Sequence, residues 1–506
     1  MPVNNLQLAG SGAGIFLLYL LLFKRNSRTS NLPLPPGPPC WPIIGCLFSV
    51  PKNEASWKWF ARLGKEKSTA FDVVYIRVLG QETVVLNTHQ AAKDLLEGRS
   101  NIYSDRPHMT MAGELIGWDD FMGLCKYGDR ARGMRRLFHN VINPRTIQDW
   151  WPPQEQETHK FLRKLLHTPE NLDAHLRHTA GATAIKLTYG YNVQDESDEF
   201  IVRAERTLDS FSYASTPGRY LVDFFPFLKH LPWAPFKRSA VLWRAQLADF
   251  AEEPMKFVRT QLARGCTKPS FVATWLQNSL EEDGSLIPYA AGSIYAGASD
   301  TTVSAISTFF IAMMHHPEVQ KAAQAEIDRV VGTDRLPSFS DHDSLPYVEA
   351  IYKETLRWQP LAPIGIPRRL ASDIDDEYQG MRIPGRSNII ANAWSMLRDP
   401  DAYKDPERFN PSRFLGPDAE SNPEEIIFGF GRRRCPGVPV ANSSIWLSTV
   451  LTLATYDITL PVGDNEESVL PSLEYSVGVI SHPPPFQCII EPRSGRARAL
   501  IEEARV

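Results

Sequence analysis

The 506-residue chain is 43% hydrophobic and 22% charged, with 31 Gly and 40 Pro, which excludes collagen-like and low-complexity classes and fits a folded globular body. Fifty-four basic against 58 acidic side chains leave a formal charge of −4, so no bulk positive field points to nucleic acid. A mean hydropathy of −0.26 excludes a polytopic membrane protein, and six scattered cysteines, at 40, 46, 125, 266, 435 and 488, exclude a disulfide scaffold.

Residues 1–23 carry no charged side chain, and Leu8 to Phe23 is a continuous apolar and small-residue run followed at once by Lys24, Arg25 and Arg28. A cleaved leader has its positive charge before the apolar run. Here the charge follows, and positive flanks stay on the cytoplasmic side. The pattern predicts a single-pass anchor over 1–23, with the rest of the chain cytosolic on the endoplasmic reticulum. Its sixteen-residue run rises about 24 Å against a ~30 Å bilayer core, so the span draws in Leu6 and Gln7. Residues 24–45 form a basic and proline-rich linker; Leu32-Pro33-Leu34-Pro35-Pro36-Gly37-Pro38-Pro39 favours stiff, extended backbone.

From residue 46 to 506 there is no second linker and no repeat, so one large body is expected. Asp72 to Val78 and Thr83 to Leu86 flank Gly80 and read as a hairpin. Apolar spacing predicts helices over Asp129 to Val141, Gln154 to His167, Leu172 to Tyr189, Asp195 to Tyr213 and Val241 to Leu262. Pro288 to Met314 is a long helix whose only charged side chain is Asp300, so it is expected to be buried on most sides. Helices follow over Pro317 to Val331 and Val348 to Trp358, with short strands around 363–392. The fold class is mainly α with small β-sheets.

The sharpest signal is Phe428-Gly429-Phe430-Gly431-Arg432-Arg433-Arg434-Cys435-Pro436-Gly437. Cys435 precedes an apolar helix, Val438 to Thr455, and Pro436 suits its start. Free N–H groups and the helix dipole at that end favour thiolate over thiol. Gly431 and Gly437 would let backbone approach a flat ligand, and Arg433 offers a cation to a carboxylate. A thiolate so placed can be an axial ligand to haem iron.

With that motif the chain resembles the cytochrome P-450 family of haem-thiolate monooxygenases, along essentially its whole length. The resemblance implies haem b held by Cys435, with Phe428 and Gly437 beside it. Glu354-Thr355-Leu356-Arg357 looks like the family's E-x-x-R helix, whose i,i+3 residues share a face. Phe409-Asn410-Pro411-Ser412-Arg413-Phe414 resembles the segment that follows it, which implies a structural triad of Glu354, Arg357 and Arg413. Gly297-Ala298-Ser299-Asp300-Thr301-Thr302 is similar to the family's acid–alcohol pattern, with Ala298 for the usual Gly. It implies that Asp300 and Thr301 relay protons during oxygen activation. Arg368 and Arg433 match cation positions for the haem carboxylates. Arg135 keeps the basic end of a W-x-x-x-R element whose tryptophan is Ala131 here. Arg132 and Arg136 are expected on the surface. The resemblance further implies pocket walls at Ala296, Gly297, Ala362, Ile364 and Val479.

No C-x-x-C-H, H-E-x-x-H or G-x-x-x-x-G-K-[ST] is present. The expected activity is insertion of oxygen from O2 into a small apolar substrate. The electrons come from an NADPH-dependent flavoprotein reductase, with cytochrome b5 as a further donor. The detailed texture is similar to fungal members of secondary-metabolite pathways. Two rivals are a haem-thiolate isomerase or dehydratase that rearranges a peroxide without O2 or reductase, and a non-catalytic haem carrier or sensor. The Asp300-Thr301 pair speaks against the first.

Overall fold

Ile287–His315 is the axis of the body, and its burial changes along its length. Residues from Ile287 to Tyr295 are mostly buried in one apolar core, and those from Val303 to Met314 in another. The stretch from Ala296 to Thr302 is half-buried or exposed, apart from Ser299. The helix is therefore anchored at both ends and opens in the middle. The computed structural model describes residues 31–51, 54–67, 72–194, 197–278, 284–461 and 470–504; the anchor expected over 1–23 lies outside the described residues.

Helices of eight or more residues are numbered here in chain order. They are α1 (Ser56–Lys67), α2 (Asp129–Val141), α3 (Trp151–His167), α4 (Leu172–Tyr189), α5 (Glu199–Ser215) and α6 (Phe236–Ala263). After them come α7 (Phe271–Asn278), α8 (Ile287–His315), α9 (Pro317–Val330), α10 (Pro346–Trp358), α11 (Val438–Thr455) and α12 (Gly495–Glu503). Helix α8 packs along α4 and against α2, α6, α10 and α11, while α3 closes on α4 and α11. The first core joins Trp118 and Phe121 to α2, α6 and the N-terminal half of α8. The second joins α3, α9, α10 and α11 to its C-terminal half, with Trp446 fully buried. Burying one such large apolar side chain stabilises by about 1.5–3 kcal/mol. Helix α11 is long and apolar enough to span a membrane, but most of it is buried in this second core.

A four-stranded sheet lies beside the helices in the order β1 (Val73–Val78), β2 (Gln81–Leu86), β6 (Asn388–Ala391), β3 (Arg368–Arg369). The hairpin between β1 and β2 turns through Leu79 (φ 49°) and Gly80 (φ 84°), the left-handed pair that suits the twist of the strands. Strand β6 runs parallel to β2 and antiparallel to β3, which sets Arg368 at the sheet's edge beside the cysteine loop. Two small antiparallel pairs complete the fold, β4 (Asp376–Tyr378) with β5 (Met381–Ile383) and β7 (Tyr456–Thr459) with β8 (Ile489–Pro492).

Differences from the sequence expectations lie at helix starts. Helix α3 begins at Trp151, with prolines in its first turn, where a missing N–H costs nothing. Helix α5 begins only at Glu199, because the Asp198 side chain caps it by accepting from Phe200 N. Helix α6 begins at Phe236, after Pro235.

Candidate active site

A cavity of about 960 Å³ opens against the middle of α8, at the upper end of the ~300–1,000 Å³ usual for ligand sites. Its wall includes Cys435, Phe428, Gly437, Asp300, Thr301, Arg135, Arg368 and Arg433, and also Ala296, Gly297, Ala362, Ile364 and Val479. All the residues expected at the site from sequence, except the structural triad, thus meet around one space.

Cys435 is the only one of the six cysteines on that wall. It lies deep in the body, yet its side chain has accessible surface because it opens onto the cavity. Its backbone N–H donates to Phe428 O at 2.8 Å, which closes the loop beneath the sulfur. Opposing effects act on its charge. Burial pushes the Cys435 thiol up, and this outweighs the Gly437 N–H and the Arg135 and Arg434 charges that pull it down. A bound metal would tip this balance toward thiolate, because ligation deprotonates the thiol. The helix start differs from the sequence expectation: Gly437 is the N-cap, and Pro439 rather than Pro436 sits in the first turn of α11.

Gly431 serves packing rather than ligand approach. It has φ +47°, and a Cβ there would stand 2.3 Å from Leu96 O. Gly431→Ala must therefore push the cysteine loop off the Leu96–Glu97 backbone, at a cost of about 1–3 kcal/mol for the backbone strain alone. We expect a lower thermal midpoint and faster cofactor loss. A wild-type midpoint would show that the loop is not seated this way.

Five arginines line the cavity. Arg177 is paired with Asp173; the other four are Arg135, Arg368 and Arg433, and also Arg106, which nothing in the sequence signals. Arg433 donates through Nε to Ser104 O (2.8 Å), through Nη1 to Met122 O (3.2 Å) and through Nη2 to Cys125 O (2.6 Å). Arg368 donates to Phe430 O and Leu96 O. Arg106 Nη1 donates to Ile366 O and Pro367 O, and its buried Nε has no partner among the described residues. Arg106, Arg368 and Arg433 are each under 10% exposed, and none of the four has a carboxylate within ion-pair distance among the described residues. Burial and mutual repulsion lower Arg106, bring Arg368 down to about 10, and lower Arg135. Buried cations without anions are costly. The cluster is thus built for an anionic ligand, and a thiol facing the same space suits a flat metal-bearing dianion.

On the opposite wall, Thr301 Oγ1 donates to Gly297 O (2.6 Å) and Thr302 Oγ1 to Ala298 O (2.7 Å). Asp300 is not a bare carboxylate. His482 Nε2 lies 3.0 Å and Arg177 Nη1 3.9 Å from its Oδ1, so it is an ion-paired acid at the cavity edge.

The triad stands behind the cysteine loop. Arg357 Nε and Nη2 donate to Glu354 (2.7 and 2.9 Å), and Arg413 Nε donates to the same carboxylate (3.2 Å). Glu354 and Arg357 have no exposed surface and Arg413 almost none. Arg132 and Arg136 are exposed, as expected.

The cytochrome P-450 family model matches residues 35–490. Cytochrome P-450 monooxygenase 208 of Postia placenta is 42% identical, over 97% of this chain and 96% of its own. Cytochrome P-450 monooxygenase claR of Ampulloclitocybe clavipes is 40% identical over 98% and 93%, and tryptamine 4-monooxygenase of Psilocybe cyanescens is 36% identical over 94% and 96%. A helical body, a lone cysteine facing a cavity with four arginines that have no ion pair among the described residues, and similarity along nearly the whole length lead to one conclusion: the chain belongs to the cytochrome P-450 family, as a haem-dependent monooxygenase that draws electrons from a redox partner.

Proposed function

We propose that this chain oxidises a small, largely apolar organic molecule in a fungal secondary-metabolite pathway. It takes electrons from an NADPH-dependent flavoprotein reductase, with cytochrome b5 as a further donor, and residues 1–23 tether it to the endoplasmic reticulum membrane. The observation that carries this reading is the single cavity that joins the Cys435 sulfur, an apolar wall and the Asp300–Thr301 edge. Cys435 holds the iron, and Arg106, Arg135, Arg368 and Arg433 receive the two propionates. The haem supplies the oxygen-activating chemistry when bound. Ala296, Gly297, Ala362, Ile364 and Val479 shape the substrate and exclude water. The Thr301 hydroxyl, with Asp300 beside it, moves protons. Glu354, Arg357 and Arg413 fix the segment that leads into the cysteine loop.

Among the relatives, the tryptamine 4-monooxygenase has a named substrate; it makes indole amines one of the classes to try here. The test is a screen of substrate-induced spectral change with terpenoids, polyketides and indoles including tryptamine, followed by turnover under isotopically labelled dioxygen. One class should shift the spectrum and yield a product carrying one labelled oxygen, dependent on NADPH and reductase. Turnover that persists without NADPH would transfer the chain to the peroxide-rearranging isomerases.

Arg135 gives a separable prediction. It has no hydrogen bond or ion pair among the described residues, and its charge lies close to those of Arg433 and Arg368. Arg135→Gln removes repulsion from the empty chain and a cation from the loaded one. Loss of one charge-assisted hydrogen bond, about 1.5–3 kcal/mol, should speed haem transfer to an acceptor protein by about tenfold or more while the apo chain unfolds no earlier. Unchanged transfer would remove Arg135 from the carboxylate site.

A further inference from the structure

The loop from Tyr475 to His482 is fastened to one stripe of α8 by three contacts at four-residue intervals. His482 Nε2 lies 3.0 Å from Asp300 Oδ1, Ser304 Oγ donates to Ser481 O at 2.6 Å, and the Thr308 and Tyr475 hydroxyls are 2.9 Å apart. Residues four apart on a helix share a face, so the loop runs along the helix as a strap. The strap is also tied internally, Ser476 N donating to His482 O (2.8 Å) and His482 N to Ser476 Oγ (2.9 Å), and it is held to the segment after α10 by Ser481 N donating to Leu361 O (2.8 Å). The backbone of His482 therefore cannot drift, and its ring is held against Asp300 while 22% of the side chain stays exposed.

Two of the three rungs are neutral and serve fastening alone. The third joins a titratable base to the one charged side chain of α8 that lines the cavity. An imidazole has two ring nitrogens, so it can give up a proton at one and take one from water at the other; the other groups facing this carboxylate are a guanidinium and its carboxylate partners. Arg177 on α4 lies 3.9 Å from the same oxygen and is itself paired with Asp173 at 2.9 Å. Glu205 on α5 faces Arg177, with Asp209 behind it. Burial holds the Tyr475 phenol in its neutral form. The guanidinium thus supplies a constant positive field, and the imidazole supplies the part that can change.

We propose that His482 is the positioning residue through which Asp300 is supplied with protons. The proton on Nε2 passes to Asp300 Oδ1, Asp300 gives it up toward the Thr301 end of the cavity, and water at the exposed edge of the ring returns one to the imidazole. No bond to carbon changes and no electron moves; one proton enters from solvent for each one delivered. The proposal rests on the reading of Asp300 as a relay acid. It adds that the acid is recharged from the strap that also carries the pocket residue Val479, so that pocket shape and proton supply are set by the same loop.

The test uses full-length holoenzyme in three forms: wild type, His482→Gln, which keeps a hydrogen-bonding group without titrating, and Asp300→Asn. Carbethoxylation of His482 is mapped by peptide mass spectrometry, and NADPH oxidation with reductase is followed between about pH 5 and 8, the range of histidine titration. Labelling of His482 should rise severalfold in Asp300→Asn. Wild-type turnover should change with pH across that range, as a proton route through an imidazole requires. His482→Gln should be slower by about tenfold or more and flat with pH, with its carbon monoxide spectrum unchanged. Equal labelling in wild type and Asp300→Asn would show that the pair does not form and overturn the proposal. A wild-type pH profile in His482→Gln would reduce the contact to a third fastening and overturn it equally. If Asp300→Asn turns over like wild type, the relay reading of Asp300 itself falls, a result distinct from failure of His482→Gln alone.

Discussion

Cys435→Ser is expected to abolish the thiolate signature of the carbon monoxide complex and reduce product formation to background. The expectation follows from where the sulfur sits. Burial pushes the free thiol up, so a bound metal would be what draws the proton off and secures the negative charge that pushes electron density onto the iron. A serine hydroxyl, far less acidic than a thiol, keeps its proton under the same burial. No other cysteine can substitute, since the remaining five lie off the cavity wall. Purified wild type and variant should be compared for haem content, carbon monoxide spectrum and labelled-oxygen incorporation. An intact thiolate spectrum in the serine variant would mean that a different sulfur reaches the iron and that Cys435 is not its ligand.

The parts of this site legible in the sequence are those fixed by local spacing. The cysteine loop ends at a helix start, and a glycine-rich approach followed by an apolar run announces it. Helix α8 is legible because one charge in an uncharged helix stands out. The Glu354–Arg357 pair is legible because three residues on a helix bring two side chains together. What was not legible depends on contacts between distant segments. Arg106 becomes a cavity residue only because Ile366 and Pro367, 260 and 261 positions away, turn their carbonyls to it. His482 is an ordinary histidine before a proline until the strap lies along α8. The part of the Cys435 balance that burial supplies is hidden for the same reason: helix-end effects can be read locally, but burial is set by the whole body. The glycine at 431 likewise answers to the Leu96 backbone and not to the ligand its motif suggested.

Glu354→Gln is expected to cost more stability than any other single isosteric change behind the site. Glu354 Oε1 accepts from Arg357 Nη2, Arg413 Nε and the Asn410 backbone N–H, and Oε2 accepts from Arg357 Nε. All four donors are spent on one fully buried carboxylate. Glutamine replaces one acceptor oxygen with a donor, which must face an arginine N–H or the Asn410 N–H, and it leaves two guanidinium charges without their shared anion. Removing one partner of a buried pair costs about 3–5 kcal/mol, a large share of the ~5–15 kcal/mol that holds a domain together. Arg413 would keep Glu420 (2.6 Å) and the carbonyls of Lys404 and Arg408, but Arg357 would keep only Leu397 O, Arg408 O and the face of Tyr403. Glu420→Gln is the control: it weakens Arg413 alone at a less buried position and should cost about 1 kcal/mol or less, as for a partly screened pair. Thermal and denaturant unfolding of the three proteins, with soluble yield and haem content, measures the difference. Equal midpoints for Glu354→Gln and wild type would show that the segment from Lys404 to Arg413 is held by packing, and that the ion triad does not fix the approach to Cys435.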